Sequence, residues 1–151
     1  MITSINKLEG DKMKGKSVDQ IKVGDFETYS RTITESDVYT FGGVTGDLNP
    51  AHTDEQASAN TMFKGRIAHG MLTASMVSTI LGMFLPGPGT IFLSQETKFL
   101  KPVRFNDTIT AKITATEVNE EKNIVTFESE CVNQNGEKVL VGKATVMPPK
   151  A

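Results

Sequence analysis

The chain has 151 residues, of which 38% are hydrophobic and 23% are charged, and its formal net charge is −2. This length corresponds to one ordinary domain, and the composition excludes a disordered or coiled-coil chain. Because 16 basic residues face 18 acidic ones, there is no overall positive field, and we expect no nucleic-acid partner. The single cysteine, Cys131, excludes an internal disulfide and is typical of a reducing, cytoplasmic location.

The N-terminus lacks the apolar core of a signal peptide, and one uncharged stretch, 67–95, is the candidate for a membrane segment. Its apolar part, 71–85, is shorter than the roughly 20 residues that a bilayer requires. The Pro-Gly-Pro-Gly sequence at 86–89 ends any helix there. We therefore expect a helix buried on all sides and no membrane partner.

The first half of the chain predicts one strand and several helices. Residues 1–17 are rich in Lys, Asp, Glu and Gly and predict a mobile or loosely docked extension, which leaves 18–151 as a single domain. Residues 26–33 have the composition of a strand. Thr34 and Asp37 form a variant capping box that begins a helix, and Thr53–Gln56 begins a second, short helix through about residue 60.

The second half of the chain predicts four strands after the Pro/Gly break. The period-two alternation of a strand, with successive side chains on opposite faces, recurs over 91–99, 108–116 and 125–131. Residues 138–147 form the last strand after a tight turn at Asn135-Gly136. One early strand, one buried helix and four later strands are typical of an α+β domain. A single sheet wrapped around the helix satisfies this pattern.

The candidate catalytic residues lie in the segment 41–52, Phe-Gly-Gly-Val-Thr-Gly-Asp-Leu-Asn-Pro-Ala-His. Its glycine, asparagine and proline residues belong in turns, so we expect Asp47 and His52 on an irregular loop with both side chains in one space. One partner can remove a proton from a water molecule while the other delivers a proton to the substrate. No serine or cysteine is adjacent to the pair in sequence, which favours water activation over a covalent intermediate.

A second candidate segment, 65–72, lies at the predicted start of the buried helix. Gly70 exposes its N–H there and lets a ligand approach the first turn. Free N–H groups and the helix dipole stabilise an oxygen that becomes negative, such as a thioester oxygen in an enolate. The two segments together indicate addition of water to an α,β-unsaturated thioester, or its reverse.

The segment around the Asp/His pair resembles the hydratase-2 motif of the MaoC-like dehydratases, which are (R)-specific enoyl-CoA hydratases with a hot-dog fold. The matching residues are Phe41, Val44, Thr45, Gly46, Asp47, Asn49, Pro50 and His52, followed by Ser58. The resemblance continues through 63–72, 85–89 and 99–103 and covers roughly 21–147. It implies an antiparallel sheet of about five strands around one long helix, with short helices carrying the catalytic loop.

The resemblance also implies roles for individual residues. Asp47 and His52 would be the catalytic pair for syn addition of water, and Gly70 would donate its N–H to the thioester oxygen. Asn49 would orient the loop or contact the water, and the Ser78 hydroxyl would support the catalytic site. Ala51 is smaller than the branched aliphatic residue usual before the histidine. The resemblance further implies a homodimer with an acyl-CoA substrate.

Several further residues have weaker interpretations. Leu81 lies one turn beyond Ser78, so we interpret it as a contact for the acyl tail. Lys64 and Arg66 are candidates for the phosphates of coenzyme A, with a solvated surface as the alternative. We expect His69 to be structural. No metal is expected, because a His52–His69 pair lacks further ligands of the usual spacing, and hydration needs no cofactor because it transfers no electrons.

Three functions from different classes remain open on the sequence alone. The leading hypothesis is a lyase that interconverts trans-2-enoyl-CoA and (R)-3-hydroxyacyl-CoA. The same chemistry on an acyl carrier protein thioester is a variant that the sequence does not separate. A hot-dog thioesterase needs the same helix start, but the Gly-Asp-x-Asn-Pro-x-His run argues against it. A non-catalytic acyl-CoA-binding module is disfavoured by the intact Asp47/His52 pair.

Overall fold

The computed structural model describes residues 14–151, in which one five-stranded sheet carries the fold. Its strands are β1 (Phe26–Thr32), β2 (Ile91–Phe99), β3 (Thr108–Asn119), β4 (Ile124–Val132) and β5 (Lys138–Met147). All neighbours are antiparallel in the order β1-β3-β4-β5-β2, so β1 and β2 are the edge strands. The predicted α+β class is confirmed.

The described residues also form four α-helices, after a short 3-10 turn at Val18–Gln20. They are α1 (Glu35–Thr45), α2 (Pro50–Thr53), α3 (Glu55–Ala59) and α4 (Gly70–Met83). The predicted capping box at the start of α1 is confirmed: the Thr34 hydroxyl accepts the Asp37 N–H, and the Asp37 carboxylate accepts the Thr34 N–H at 2.8 Å. None of the helices within 14–151 has the length and apolarity needed to span a bilayer.

Helix α4 packs against the sheet, and the two together form the core. Its inward side chains include Val77 and Ile80, both fully buried. The alternating apolar residues of β3, Ile109, Ala111, Ile113 and Ala115, are at most 1% exposed. Both faces of this contact are apolar, so their burial supplies most of the driving force for folding.

Two local features differ from the sequence-based expectations. Strand β3 extends to Asn119 beyond its regular alternation, because a register shift between Ala115 and Glu117 interrupts the period of two. The expected loop at 47–52 contains the one-turn helix α2, which the Asn49 side chain caps and which has Pro50 in its first turn. The next helix is capped by Asp54, one residue later than predicted.

The N-terminal extension is described only from Lys14 onward, and the rest of the predicted segment lies outside the described residues. Within 14–17, Gly15 donates its N–H to the Pro88 carbonyl at 2.8 Å, and Lys16 donates to the Pro86 carbonyl at 2.8 Å. The Gly15 backbone approaches this loop so closely that a β carbon would lie 2.7 Å from the Pro86 oxygen. This part of the extension is therefore docked against the turn that follows α4.

Candidate active site

The loop that carries Asp47 begins where α1 ends. Gly46 adopts a left-handed conformation with φ of 82°, which a side chain would strain, and its N–H binds the Gly42 carbonyl. The Asp47 N–H then donates to the Thr45 hydroxyl at 3.2 Å. Its carboxylate accepts the Asn49 N–H at 3.3 Å and is 54% exposed. Asp47 is thus fixed through its backbone while its carboxylate stays accessible.

His52 lies in α2 and is nearly buried, with 9% of its surface exposed. Its Nδ1 is 2.7 Å from the Ile67 carbonyl oxygen. A carbonyl only accepts hydrogen bonds, so Nδ1 carries the proton and the lone pair of the neutral ring is at Nε2. The Asn49 side chain orients this turn by accepting the Ala51 N–H at 3.0 Å. Asn49 therefore acts on the loop backbone.

His69 lies between the two elements and is 2% exposed. Its Nε2 is 2.8 Å from the Asp47 carbonyl oxygen and 4.0 Å from the Asp47 carboxylate. Its ring stacks on the His52 ring, with 3.8 Å between the two ring centroids. It also contacts the Phe41 ring, whose centroid is 5.0 Å away. We expected His69 to be structural, and no pattern in the sequence indicated its hydrogen bond to the Asp47 backbone.

The donor atoms of Asp47, His52 and His69 lie within 4.8 Å of one another, as metal ligands do. Their orientation does not fit a metal, however. The His69 nitrogen nearest the Asp47 carboxylate is Nε2, at 4.0 Å, and this atom is bound to the Asp47 carbonyl oxygen. It therefore carries a proton and offers no lone pair to a metal on that side. The cluster is better suited to proton transfer than to metal binding.

Gly70, the first residue of α4, lies beside this cluster. The N–H groups of a helical first turn have no acceptor within the helix, so this donor is available to a ligand. Gly70 lines a cavity of about 480 Å³ together with Ile67, whose carbonyl binds His52. A β carbon at residue 70 would lie 2.8 Å from the Phe99 ring. Only glycine at this position leaves the N–H of residue 70 open to an approaching ligand.

The cavity is mainly apolar, as expected for an acyl or pantetheine chain. Its lining includes the side chains of Met62, Phe63, Met71, Phe99 and Leu100. Sequence reasoning missed Met62, Phe63, Phe99 and Leu100 as lining groups, because no pattern distinguishes an apolar residue in a groove from one in the core. The half-exposed Phe99 ends the edge strand β2, where a core residue would be covered.

Two predicted site residues on α4, Ser78 and Leu81, make no contact with the Asp47/His52 pair among the described residues. Ser78 is exposed, and no hydrogen bond joins its hydroxyl to Asp47 or His52 among the described contacts. Leu81 is 1% exposed within the core and is not among the residues that line this cavity, so its contact with an acyl tail stays a prediction. The burial of Leu81 follows from helical geometry, because the inward face of α4 contains positions 73, 74, 76, 77, 80 and 81.

Arg66, a predicted phosphate ligand, is paired with two carboxylates in this structure. Its guanidinium binds Glu55 and Glu35, each at 2.6 Å, and lies over the Phe105 ring. The hydrogen bonds with these carboxylates raise the pKa of Arg66 above its ordinary value. Lys64, in contrast, is exposed in a left-handed backbone conformation with φ of 56°. Lys64 remains the candidate for the phosphates.

Comparisons with known proteins agree with this geometry. A family model described as a MaoC like domain matches residues 20–136. The chain is 48% identical over 131 residues to the (R)-specific enoyl-CoA hydratase of Rhodospirillum rubrum, covering 87% of this chain and 90% of that one. It is 39% identical over 132 residues to the 3-hydroxybutyryl-CoA dehydratase of Methylorubrum extorquens, covering 87% of this chain and 83% of that one. The solved structure of R-hydratase PhaJ1 from Pseudomonas aeruginosa matches with a TM-score of 0.85 at 37% identity, covering 91% of this chain and 88% of that one.

Proposed function

Because this chain belongs to the MaoC-like dehydratase family and has its hot-dog fold, we propose that it is an (R)-specific enoyl-CoA hydratase. The reaction adds water reversibly to a trans-2-enoyl-CoA and gives an (R)-3-hydroxyacyl-CoA. The observation that carries the proposal is the placement of an exposed Asp47 carboxylate near His52, whose Nε2 is left without a proton. Such a pair can bind a water molecule and move its protons.

In the proposed reaction, Asp47 and His52 hold the water between them. The water oxygen forms a bond to C3 of the substrate while one of the two residues accepts a water proton. That same proton then passes to C2 on the same face, directly or through the other residue of the pair, so the net change is the addition of one water and both residues return to their starting state. The Ile67 carbonyl holds the His52 ring so that Nε2 faces this water.

Negative charge develops on the thioester oxygen as water adds to C3. The Gly70 N–H at the start of α4 supports that charge, since a helix N-terminus combines a free donor with a favourable dipole. The apolar cavity beside Gly70 takes the chain of the substrate, and Lys64 binds the phosphates of coenzyme A. The reaction transfers no electrons, so purified protein should act without an added cofactor.

The test is the loss of ultraviolet absorbance of crotonyl-CoA, followed by chiral analysis of the product. We expect wild-type protein to hydrate the substrate and Asp47→Asn or His52→Ala to lose about 10²–10⁴-fold in turnover. Asp19→Asn, an exposed acid outside the site, is the matched control. Wild-type turnover in either site variant would contradict the role of that residue, and an (S) product would contradict the stereochemical proposal.

Two alternative activities use the same site and are separated by simple assays. A thioesterase would release free thiol from acyl-CoA, whereas a hydratase leaves the thioester intact. A dehydratase that acts on acyl carrier protein would leave crotonyl-CoA unchanged and hydrate the same acyl chain on the carrier protein.

A cytoplasmic location is part of the proposal, because the lone, buried Cys131 suits a reducing compartment.

We further propose that the protein is a homodimer joined at the β2 edge. The side chains of Ile91, Phe92 and Leu93 on this edge are 40–56% exposed, whereas the opposite edge, β1, has one strongly exposed apolar residue, Phe26, and is mostly polar over 27–32. An exposed apolar edge strand is a template for pairing with another chain. A second copy on β2 would extend the sheet and cover these side chains.

Light scattering after size exclusion tests the dimer. We expect about twice the 16.4 kDa chain mass for the wild type and for Thr28→Lys on the β1 edge. Leu93→Lys places a charge on the β2 edge and should produce monomers. A fully active wild-type monomer would contradict the proposed assembly.

A further inference from the structure

One buried side chain, His69, contacts both residues of the proposed catalytic pair. On one side its Nε2 is 2.8 Å from the backbone oxygen of Asp47. On the other its ring stacks against His52 with 3.8 Å between centroids. The ring is 2% exposed, and its opposite contact is the Phe41 ring. His69 is therefore buried at a position from which it contacts both the Asp47 loop and the His52 ring.

The hydrogen bond to Asp47 decides which nitrogen of His69 carries the proton. The acceptor is a carbonyl, so Nε2 must be the donor. The other nitrogen, Nδ1, is buried without a hydrogen-bond partner among residues 14–151, and a proton there would find no acceptor. His52 has the opposite arrangement, because its Nδ1 donates to the Ile67 carbonyl. The stacked rings thus hold opposite tautomers.

The carboxylate of Asp47 depends on this arrangement for its position. It is on an exposed stretch between α1 and α2, and its own oxygens bind only the neighbouring Asn49 N–H among the described contacts. The Asp47 backbone is held by the Thr45 hydroxyl within the same loop and by His69 from α4. The second of these contacts fixes the loop relative to Gly70, the first residue of α4.

We propose that His69 is a positioning residue, which sets the place of the Asp47 carboxylate through its Nε2–H and the plane of the His52 ring through stacking. This inference rests on the proposed hydratase function. His69 does not exchange a proton with substrate, because its one polar hydrogen is used on a backbone oxygen and its lone pair is buried. Its removal should therefore affect turnover more than substrate binding.

Two variants separate the hydrogen bond from the stacking. His69→Phe keeps an aromatic ring against His52 and removes the donor, whereas His69→Gln keeps an N–H at the distance of Nε2 and removes the ring. We expect His69→Phe to lose about 10²-fold in kcat, the cost of a displaced catalytic group, with little change in KM. His69→Gln should recover about tenfold of this loss. Circular dichroism and thermal unfolding give the folded fraction to which each rate is normalised.

The tautomers are measured by long-range proton–nitrogen correlation spectra of the imidazole rings. The protein has only two histidines, so the spectrum of His69→Gln assigns both. We expect His52 protonated at Nδ1 and His69 protonated at Nε2 in their neutral forms. This measurement needs no turnover, and it decides the His69 geometry even where His69→Phe fails to fold.

The outcomes separate the two proposals. A His69 protonated at Nδ1, or equal normalised kcat in wild type, His69→Phe and His69→Gln, would overturn the positioning role. Losses that appear in KM with kcat unchanged would also overturn it, because a residue that positions the catalytic pair acts on turnover. A wild type with the expected tautomers but no hydration of crotonyl-CoA or of the carrier-protein substrate would overturn the proposed function and leave the His69 geometry standing.

Discussion

Gly42 and Asp47 approach each other so closely that a β carbon at residue 42 would lie 3.1 Å from the Asp47 carbonyl oxygen. The same β carbon would lie 3.0 Å from Leu48 and 3.7 Å from His69. The C-terminal part of α1 thus packs directly against the loop that carries Asp47. The absence of a side chain at residue 42 lets the loop lie where His69 can bind it.

Alanine at position 42 should therefore reduce activity without unfolding the protein. Gly42→Ala pushes the Asp47 backbone by a few tenths of an ångström or more, and we expect kcat to fall by about 10–10²-fold. Gly43→Ala, on the same helix, is the matched control, because a β carbon at residue 43 meets nothing within 4 Å. Crotonyl-CoA kinetics of both variants check this, and equal rates would contradict support of the loop by Gly42.

Alanine at position 70 should obstruct the proposed oxygen-binding donor. The added methyl group meets the half-exposed Phe99 ring, which can move, so we expect a folded protein. The methyl group also narrows the approach to the N–H, and kcat/KM should fall by about 10²-fold. Gly82→Ala, in open space on the same helix, should keep full activity and gain up to about 1 kcal/mol of helix stability. A fully active Gly70→Ala would contradict the role of this donor.

The capping box of α1 should make stability depend on pH. Burial raises the pKa of Asp37, but hydrogen bonds from Thr34 and the charge of Arg31 outweigh it and hold this pKa below its ordinary value. A lowered native pKa stabilises the fold above the unfolded pKa of about 4, and that stability is lost as pH falls through the native pKa.

We therefore expect Asp37→Asn to unfold more easily than wild type at pH 7, on the order of 0.5–1 kcal/mol. This difference should shrink as the pH is lowered below about 4. Urea titrations at pH 7 and at a pH below about 4 measure this difference in the free energy of unfolding. Glu120→Gln, at an exposed position, is the control. A difference that stays constant with pH would show that the cap acts without the charge of Asp37.

Cys131 should be unreactive in the folded protein. Burial, with a smaller contribution from the charge of Glu130, raises the pKa of this thiol to about 12. Because the thiolate is the reactive form, a disulfide reagent such as Ellman's should find no thiol in native protein and one per chain in guanidinium. Rapid native labelling would contradict this burial. The expected result also leaves a clean background for measuring coenzyme A release.

The sequence determined the fold class, and it contains the signal for the proposed catalytic pair. Period-two alternation over 108–115, the capping box at Thr34 and the turn at Asn135-Gly136 are local signals, and each recurs in the structure. The motif containing Asp47 and His52 is likewise contiguous, because its residues are held by turns of the backbone between them. Such interactions join residues a few positions apart, so they can be predicted without a tertiary model.

Contacts between distant segments were decided by the tertiary structure alone. His69 is 22 residues from Asp47, and Arg66 is 31 residues from Glu35, yet each pair is in contact. Leu81 and Phe99 are both apolar in sequence, but packing buries the first and leaves the second at the cavity. Burial and tertiary hydrogen bonds depend on how helices and sheet pack, and no local pattern encodes them.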